Sequence, residues 1–269
     1  VGEIKASIIT GIRNRSNHFS LTFPFNISQV GTNCEWIYVN FNSTDDCFSS
    51  LLLEHIRKYE DIFSSNLLSI KEIYVKDVDY YNPSEAKNLG ACFSKSEILC
   101  FNDADTILGM NYLNKWSEFV ELNQTFVTNR CQESMASKSK RILDNINYGN
   151  LLVSKKDFLE VLGFDESRKN YGGDDDDIFH RLKLSGLREI NPYSYKECNQ
   201  YSILHGDNER LSDLQVPERC DPEAAFDEIY KNKQQKSRKN DYLFYNNFKS
   251  LKIYSRYGLS WYINNRNKL

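Results

Sequence analysis

The run from Ile4 to Ile12 is apolar and rich in β-branched residues, then turns polar at Arg13. That pattern predicts a buried first strand followed by a loop. Glu35 to Phe41 (EWIYVNF) predicts a second strand, and Glu72 to Val78 a third. Between them, Leu51, Leu52, His55 and Ile56 give Asp46 to Lys58 a helical spacing. Ser84 to Ser94 opens with Ser-Glu after a proline, a helix start signal. Ile98 to Phe101 is a short apolar strand that runs straight into Asn102-Asp103-Ala104-Asp105. Strands alternating with helices predict an α/β fold: a mainly parallel sheet with helices on both faces. Ligands bind such sheets beyond the carboxyl ends of the strands, and Asp103 and Asp105 fall there. The sequence contains neither an internal repeat nor a low-complexity linker. Its clearest shift in composition lies near Val216 to Pro222, which divides a domain over 1–220 from a basic, aromatic extension over 221–269.

Composition sharpens this picture only in places. A chain of 269 residues is long enough for one large domain, or one domain with a small appendage. The 17 Tyr and 16 Phe suit stacking on sugar rings or a base, and equally suit a packed core. A net charge of -3 excludes a strongly basic nucleic-acid binder. The extension holds ten Lys or Arg against five Asp or Glu, so it carries +5 and the rest carries -8. Seven scattered Cys without a CxxC spacing read as free thiols of a reducing, cytoplasmic compartment. Four N-x-S/T sequons, at Asn14, Asn26, Asn42 and Asn123, are about what so Asn-rich a chain produces by chance. The sequence shows no signal peptide and no apolar run of the roughly 20 residues that span a bilayer. It opens at Val1 rather than Met, as an excised segment would.

Five features carry candidate chemistry. In ILCFNDADTIL, Asp103 and Asp105 are one residue apart in extended chain and so face the same way. Two such hard oxygen ligands can share a divalent cation and leave positions open for phosphate oxygens. A solvated turn after a strand fits the same residues. In YGGDDDDIFHRLKLSG, Gly172 and Gly173 permit close approach of a ligand. Asp174 to Asp177 then fall at a helix N-terminus, which tolerates negative charge. Four clustered carboxylates repel one another and raise some pKa values, as suits a general base. His205 in YSILHGDN is a metal ligand or a structural histidine. Arg13 and Arg15 can hold a diphosphate by bidentate contacts, or be solvated loop charges. Lys87 in NPSEAKNLGA fits a phosphate or base contact, or a helix-surface lysine.

Taken in order, IITGIRNR, AKNLG, FNDADTIL, NYGNLLVSKKDFLEVLGFDESRKNYGGDDDDIFHRL and YSILH resemble the β-1,4-galactosyltransferase family and related bacterial family-2 glycosyltransferases. The match spans roughly Ile4 to Asn208, and the long segment is its most specific part. The resemblance implies a GT-A, Rossmann-like fold and an inverting, metal-dependent transferase using a UDP-sugar, with Mn²⁺ (or Mg²⁺) as cofactor. It implies that Asp105 and His205 bind the metal, and that Asp103 contacts the donor or its metal. Arg13, Arg15, Lys87 and Gly149 fall on the donor side. Asp175 matches the catalytic base. Asp176, Tyr171 and Gly173 match the acceptor site. The expected partners are a UDP-sugar and a carbohydrate or lipid-linked glycan acceptor.

The sequence departs from the family pattern at several points. Tyr171 stands where the family often has Trp, and Asp174 replaces Glu. The family's methionine ligand falls on Ser202, and its double Gly is reduced to Gly149 after Tyr148. Ile146 stands where an aromatic favours galactose. The smaller side chain leaves space for an N-acetyl group and leans towards UDP-GalNAc. A degenerate, non-catalytic nucleotide-sugar-binding relative is the alternative, and the intact Asp103, Asp105, Asp175 and His205 argue against it. The Asp spacing fails the EF-hand pattern, and four His are too few for a two-metal phosphohydrolase. The segment FKSLKIYSRYGLSWYINN predicts a helix that packs on the domain or lies on an anionic membrane surface.

Overall fold

A computed structural model describes residues 4–29, 33–45, 48–61, 69–76, 78, 80–109, 111–128, 143–144, 149–166, 173–192, 200–203 and 252–257. Its centre is four parallel strands. β1 (Ala6–Ile12) is flanked by β2 (Cys34–Phe41) and, on its other side, by β4 (Ile98–Phe101), while β3 (Ser69–Lys76) lies beyond β2. β8 (Leu151–Ser154) adds antiparallel to β4, followed by β6 (Thr125–Thr128) and then β9 (Arg188–Ile190). A small antiparallel sheet is built from β5 (Thr106–Ile107), β10 (Tyr201–Ile203) and β7 (Leu143–Asp144). The expected α/β architecture is present, with its parallel part in the centre and an antiparallel wing.

Both faces of the sheet are covered, and strand periodicity shows how. Ile8, Trp36, Tyr38 and Cys100 face one layer, formed by α1 (Ser16–Gln29), α2 (Phe48–Lys58) and α4 (Tyr112–Asn123). Ile9, Ile37, Val39, Leu99 and Phe101 face the other, formed by α3 (Pro83–Cys92), α5 (Lys155–Glu160) and α6 (Asp174–Leu184). β1 and β2 are buried along almost their whole length, which is why they read as continuous apolar runs.

α1 was not expected from the sequence. SNHFSLTFPFNISQ has Pro24 inside it and no acidic residue in its first turn. An interior proline costs about 3 kcal/mol. Phe19, Phe23 and Ile27, at i, i+4 and i+8, are each at most 1% exposed. Burying each contributes roughly 1.5–3 kcal/mol, so packing outweighs propensity here.

The extension corrects a second expectation. Residues 252–257 form a strand, β11 (Lys252–Tyr257), antiparallel to β3, where the sequence predicts a helix. KIYSRY is rich in β-formers, and β3 would otherwise leave a row of unpaired main-chain groups at the sheet edge. The remainder of 221–269 lies outside the described residues. Among the described residues, no helix is long and apolar enough to cross a membrane.

Candidate functional site

β1 and β4 run parallel with Ile9 opposite Phe101, and β1 continues to Ile12, so Arg13–Arg15 and Asn102–Asp105 both leave the sheet at its carboxyl rim. The strand order 3-2-1-4 reverses between them, the position where open α/β sheets take their ligands. The Asn102–Thr106 turn is held from several sides. Asn102 N–H donates to Ile9 O at 2.9 Å, extending the ladder by one residue. Its Nδ2 donates to Asp103 O and Thr106 O, both at 3.2 Å, and its Oδ1 accepts from Asn150 Nδ2 at 3.0 Å. Asp105 O accepts from Ile203 N–H at 2.8 Å, which fastens β10 to the turn.

Gly149 sits against Asp103. A Cβ at position 149 would fall 1.7 Å from Asp103 Oδ2, so only glycine lets the β8 approach pass that carboxylate. The sequence-predicted pair is therefore brought together by close approach.

The acidic run divides its labour. Gly173 adopts φ 76°, the left-handed region open to glycine, and starts α6 with Asp174 to Asp177 in its first turn. Lys87 Nζ, from α3, lies 2.9 Å from Asp175 Oδ1 and 3.3 Å from Asp174 Oδ2. Lys87 is buried, with Nζ 4.8 Å from the Phe164 ring centroid. Asp177 instead holds Arg181, at 3.0 Å to Nε and 2.5 Å to Nη2. Arg181 Nη1 donates onward to Val161 O and Gly163 O, so this pair anchors the loop after α5. Asp176 is half-buried between them. The expected mutual repulsion is thus offset by two cations from different elements.

Burial, then the Asp174 carboxylate, push Asp175 up to about 8 against the pull of Lys87, and Asp103 adds to the rise. Burial pulls Lys87 down, but the charges of Asp175, Asp174 and Asp103 outweigh it and leave its ammonium well above the usual range. One electrostatic unit therefore joins the turn after β4, helix α3 and the start of α6. Asparagines set its geometry. Asn88 Nδ2 donates to Phe164 O at 2.9 Å and to Glu166 Oε1 at 2.8 Å, while Asn82 caps α3 and donates to Glu166 O at 3.1 Å.

Arg13 is 2% exposed, and its Nη1 donates to Phe41 O and Val78 O, both at 3.1 Å. Arg15 is also buried. Neither is the solvated loop charge that the sequence left open. Asn14, at φ 52°, accepts from Thr44 N–H at 2.7 Å, and Asp45 Oδ2 accepts from Ser16 N–H at 2.9 Å. The R-N-R segment thereby ties the ends of β1 and β2 together.

Tyr171 and His205 lie outside the described residues, as do Ile146 and Tyr148. Among the described residues, no group of three or more His, Cys, Asp or Glu forms a metal cage. The carboxylates of Asp103 and Asp105, on one turn, are hard oxygens of the kind Mn²⁺ or Mg²⁺ takes. Ser202, at the family's methionine position, is buried with Oγ 3.4 Å from Thr106 Oγ1. Asn102, Asn150, Asn82 and Asn88 were not singled out from the sequence, because an asparagine's partner is set by the fold. The Asp177–Arg181 pair was legible as an i,i+4 spacing.

Solved structures share this architecture. The mannosyltransferase PcManGT from Pyrobaculum calidifontis, in complex with GDP-Man and Mn²⁺, is similar over 71% of this chain and 55% of its own, with 15% identity and a TM-score of 0.53. S. aureus TarS 1-349, in complex with UDP-GlcNAc, is similar over 75% of this chain and 59% of its own, with 14% identity and a TM-score of 0.54. This chain spans less than two thirds of the length of either. The chain therefore shares the GT-A fold of these two glycosyltransferases. Residues 133–205 match the family model described as the N-terminal domain of galactosyltransferase, a segment that includes Gly149 and Asp174–Asp177. No curated protein matches the sequence.

Proposed function

We propose that this protein is an inverting, metal-dependent glycosyltransferase that moves a hexose or N-acetylhexosamine from a UDP-sugar to a hydroxyl of a carbohydrate acceptor. One observation carries the reading. Asp103, Asp174, Asp175 and Lys87, from three separate elements, form one charge unit, with Lys87 and Asp174 buried and Asp103 and Asp175 half-buried, at the rim where such sheets take ligands. A structural turn would not need that convergence. The similar PcManGT and TarS structures hold nucleotide-sugars, and the first also holds Mn²⁺, which supports the donor and cofactor classes.

In this reading Asp103 and Asp105, with His205, hold the cation. When bound, that cation would neutralise charge building on the diphosphate leaving group. Asp175 takes the proton from the acceptor hydroxyl, and its raised pKa suits it to that task near neutral pH. Asp176, Gly173 and Tyr171 shape the acceptor side. Gly149 lets donor and turn approach closely, and Arg13 and Arg15 back the diphosphate from the β1 end. The Gal or GalNAc preference rests on Ile146, and a role in polysaccharide or glycoconjugate synthesis rests on the family resemblance. The basic, aromatic extension fits an acceptor carried on an anionic membrane surface.

The test is UDP release with Mn²⁺ across a panel of UDP-sugars and glycan acceptors, with Asp175→Asn beside the wild type. Turnover of one donor, lost in the variant while UDP binding survives, is the expected result. UDP binding without turnover on any donor would favour the non-catalytic nucleotide-sugar-binding alternative. No UDP binding would refute the reading.

A further inference from the structure

Helix α1, which the sequence conceals, does more than cover the sheet. We infer that Thr22 and Asn26 are positioning residues for the D-x-D turn, and that by fixing its main chain they set its affinity for a divalent cation. The inference rests on the metal-dependent reading above.

Thr22 and Asn26 are four residues apart and so share one face of α1. Both are buried, at 3% and 2% exposure. Thr22 Oγ1 donates to Ala104 O at 2.8 Å, and its contact with Phe19 O, within the helix, is the longer one at 3.4 Å. Asn26 Nδ2 donates to Thr106 O at 2.9 Å, and its Oδ1 accepts from Leu108 N–H at 2.8 Å. With Asn102 Nδ2 on Asp103 O and Ile203 N–H on Asp105 O, every main-chain carbonyl from 103 to 106 has a hydrogen-bond partner, two of them from α1.

These bonds hold the part of the chain with the least reason to stay put. Asp103 and Asp105 are carboxylates on the short turn between β4 and β5. A turn free to move would relax away from the geometry a cation needs and would pay reorganisation on every binding event. α1 does not move easily, because Phe19, Phe23 and Ile27 root it in the core. Its polar face is therefore a rigid template, which is what preorganisation of a metal site requires. The same burial makes Asn26 a poor glycan acceptor in the folded protein, although it heads an N-x-S sequon.

The test uses the full chain and three variants. Thr22→Val removes only the hydroxyl at near-constant shape, Thr22→Ser restores it, and Asn26→Asp keeps the acceptor for Leu108 N–H while removing the donor to Thr106 O. Two measurements are made without any sugar donor: Mn²⁺ titration, and amide exchange of Thr106 and Leu108 in metal-free protein. Losing one such hydrogen bond corresponds to about a fivefold change in an equilibrium. Thr22→Val is expected to weaken Mn²⁺ binding by about that factor and to speed exchange at Thr106, with Thr22→Ser close to wild type. If Thr22→Val does not fold, Asn26→Asp carries both measurements. Wild-type exchange and wild-type Mn²⁺ affinity in the variants would overturn the inference. If the wild type binds no Mn²⁺, the metal reading fails, and so does the affinity half of this inference. Exchange then still decides whether α1 clamps the turn.

Discussion

Lys87 Nζ lies 2.9 Å from Asp175 Oδ1, and it is the cation that keeps the residue matched to the catalytic base beside Asp174 and Asp103. Removing it would leave several carboxylates close together without that charge. Breaking a buried pair by deleting one partner costs roughly 3–5 kcal/mol. Lys87→Met should therefore lower the urea midpoint strongly. Adding Asp174→Asn should restore part of the loss, because one of the stranded charges is then gone. A Lys87→Met protein as stable as the wild type would show that the cluster holds itself apart by other means.

Gly149 predicts a different kind of damage. Its Cβ position overlaps Asp103 Oδ2, so Gly149→Ala must displace that carboxylate or the start of β8. Overpacking of this kind costs about 1–3 kcal/mol. The larger effect should appear in ligand binding, as loss of Mn²⁺ and UDP affinity exceeding what the drop in Tm explains. Equal affinity in Gly149→Ala would mean that Asp103 takes no part in the site.

The four consecutive aspartates should separate cleanly by assay. Asp177 fastens Arg181, which holds Val161 O and Gly163 O, so Asp177→Ala should cost roughly 2 kcal/mol of stability and leave UDP binding intact. Asp175→Asn should instead abolish transfer while UDP binding survives, and should cost less stability than Lys87→Met because Asp174 still faces the lysine. Urea unfolding and UDP release with Mn²⁺ on the same two variants decide it. Matching profiles would mean that the run acts as one undivided acidic cap.

What the sequence revealed follows from physical scale. β1, β2 and β4 were legible because a strand buried on both faces must be apolar along its length. Asp103 and the run Asp174–Asp177 stood out because consecutive or near-consecutive carboxylates are uncommon, whereas Asp175 and Gly149 were singled out by the family resemblance. α1 was hidden because Pro24 and a polar helix start mask it, and its stability comes from Phe19, Phe23 and Ile27 meeting residues of distant strands. β11 was hidden because pairing with β3 is a contact across about 180 residues, and no local pattern reports it. The burial of Lys87 was hidden for the same reason. A lysine on a helix looks exposed until the fold places Asp174 and Asp175 above it.

Glu85 gives the fold a pH signature away from the catalytic residues. It sits in the first turn of α3, where burial, and then the charge of Glu166, raise it to about 7. The helix N-terminus favours its ionised form, so burial and Glu166 together outweigh that attraction. A solvated glutamate carboxyl titrates at 4.5, so between 4.5 and about 7 the folded protein binds the proton that the unfolded chain has lost. Stability from this group is full below 4.5, falls as pH rises through that window, and is flat above it. Glu85→Gln cannot ionise and should lose the slope. Its Tm should match the wild type near pH 5 and exceed it at pH 8, by an amount equivalent to roughly 1–2 kcal/mol once solvent screening is allowed for. Thermal melts at the two pH values read this directly. A variant whose advantage is the same at both would show that Glu85 does not titrate in that window.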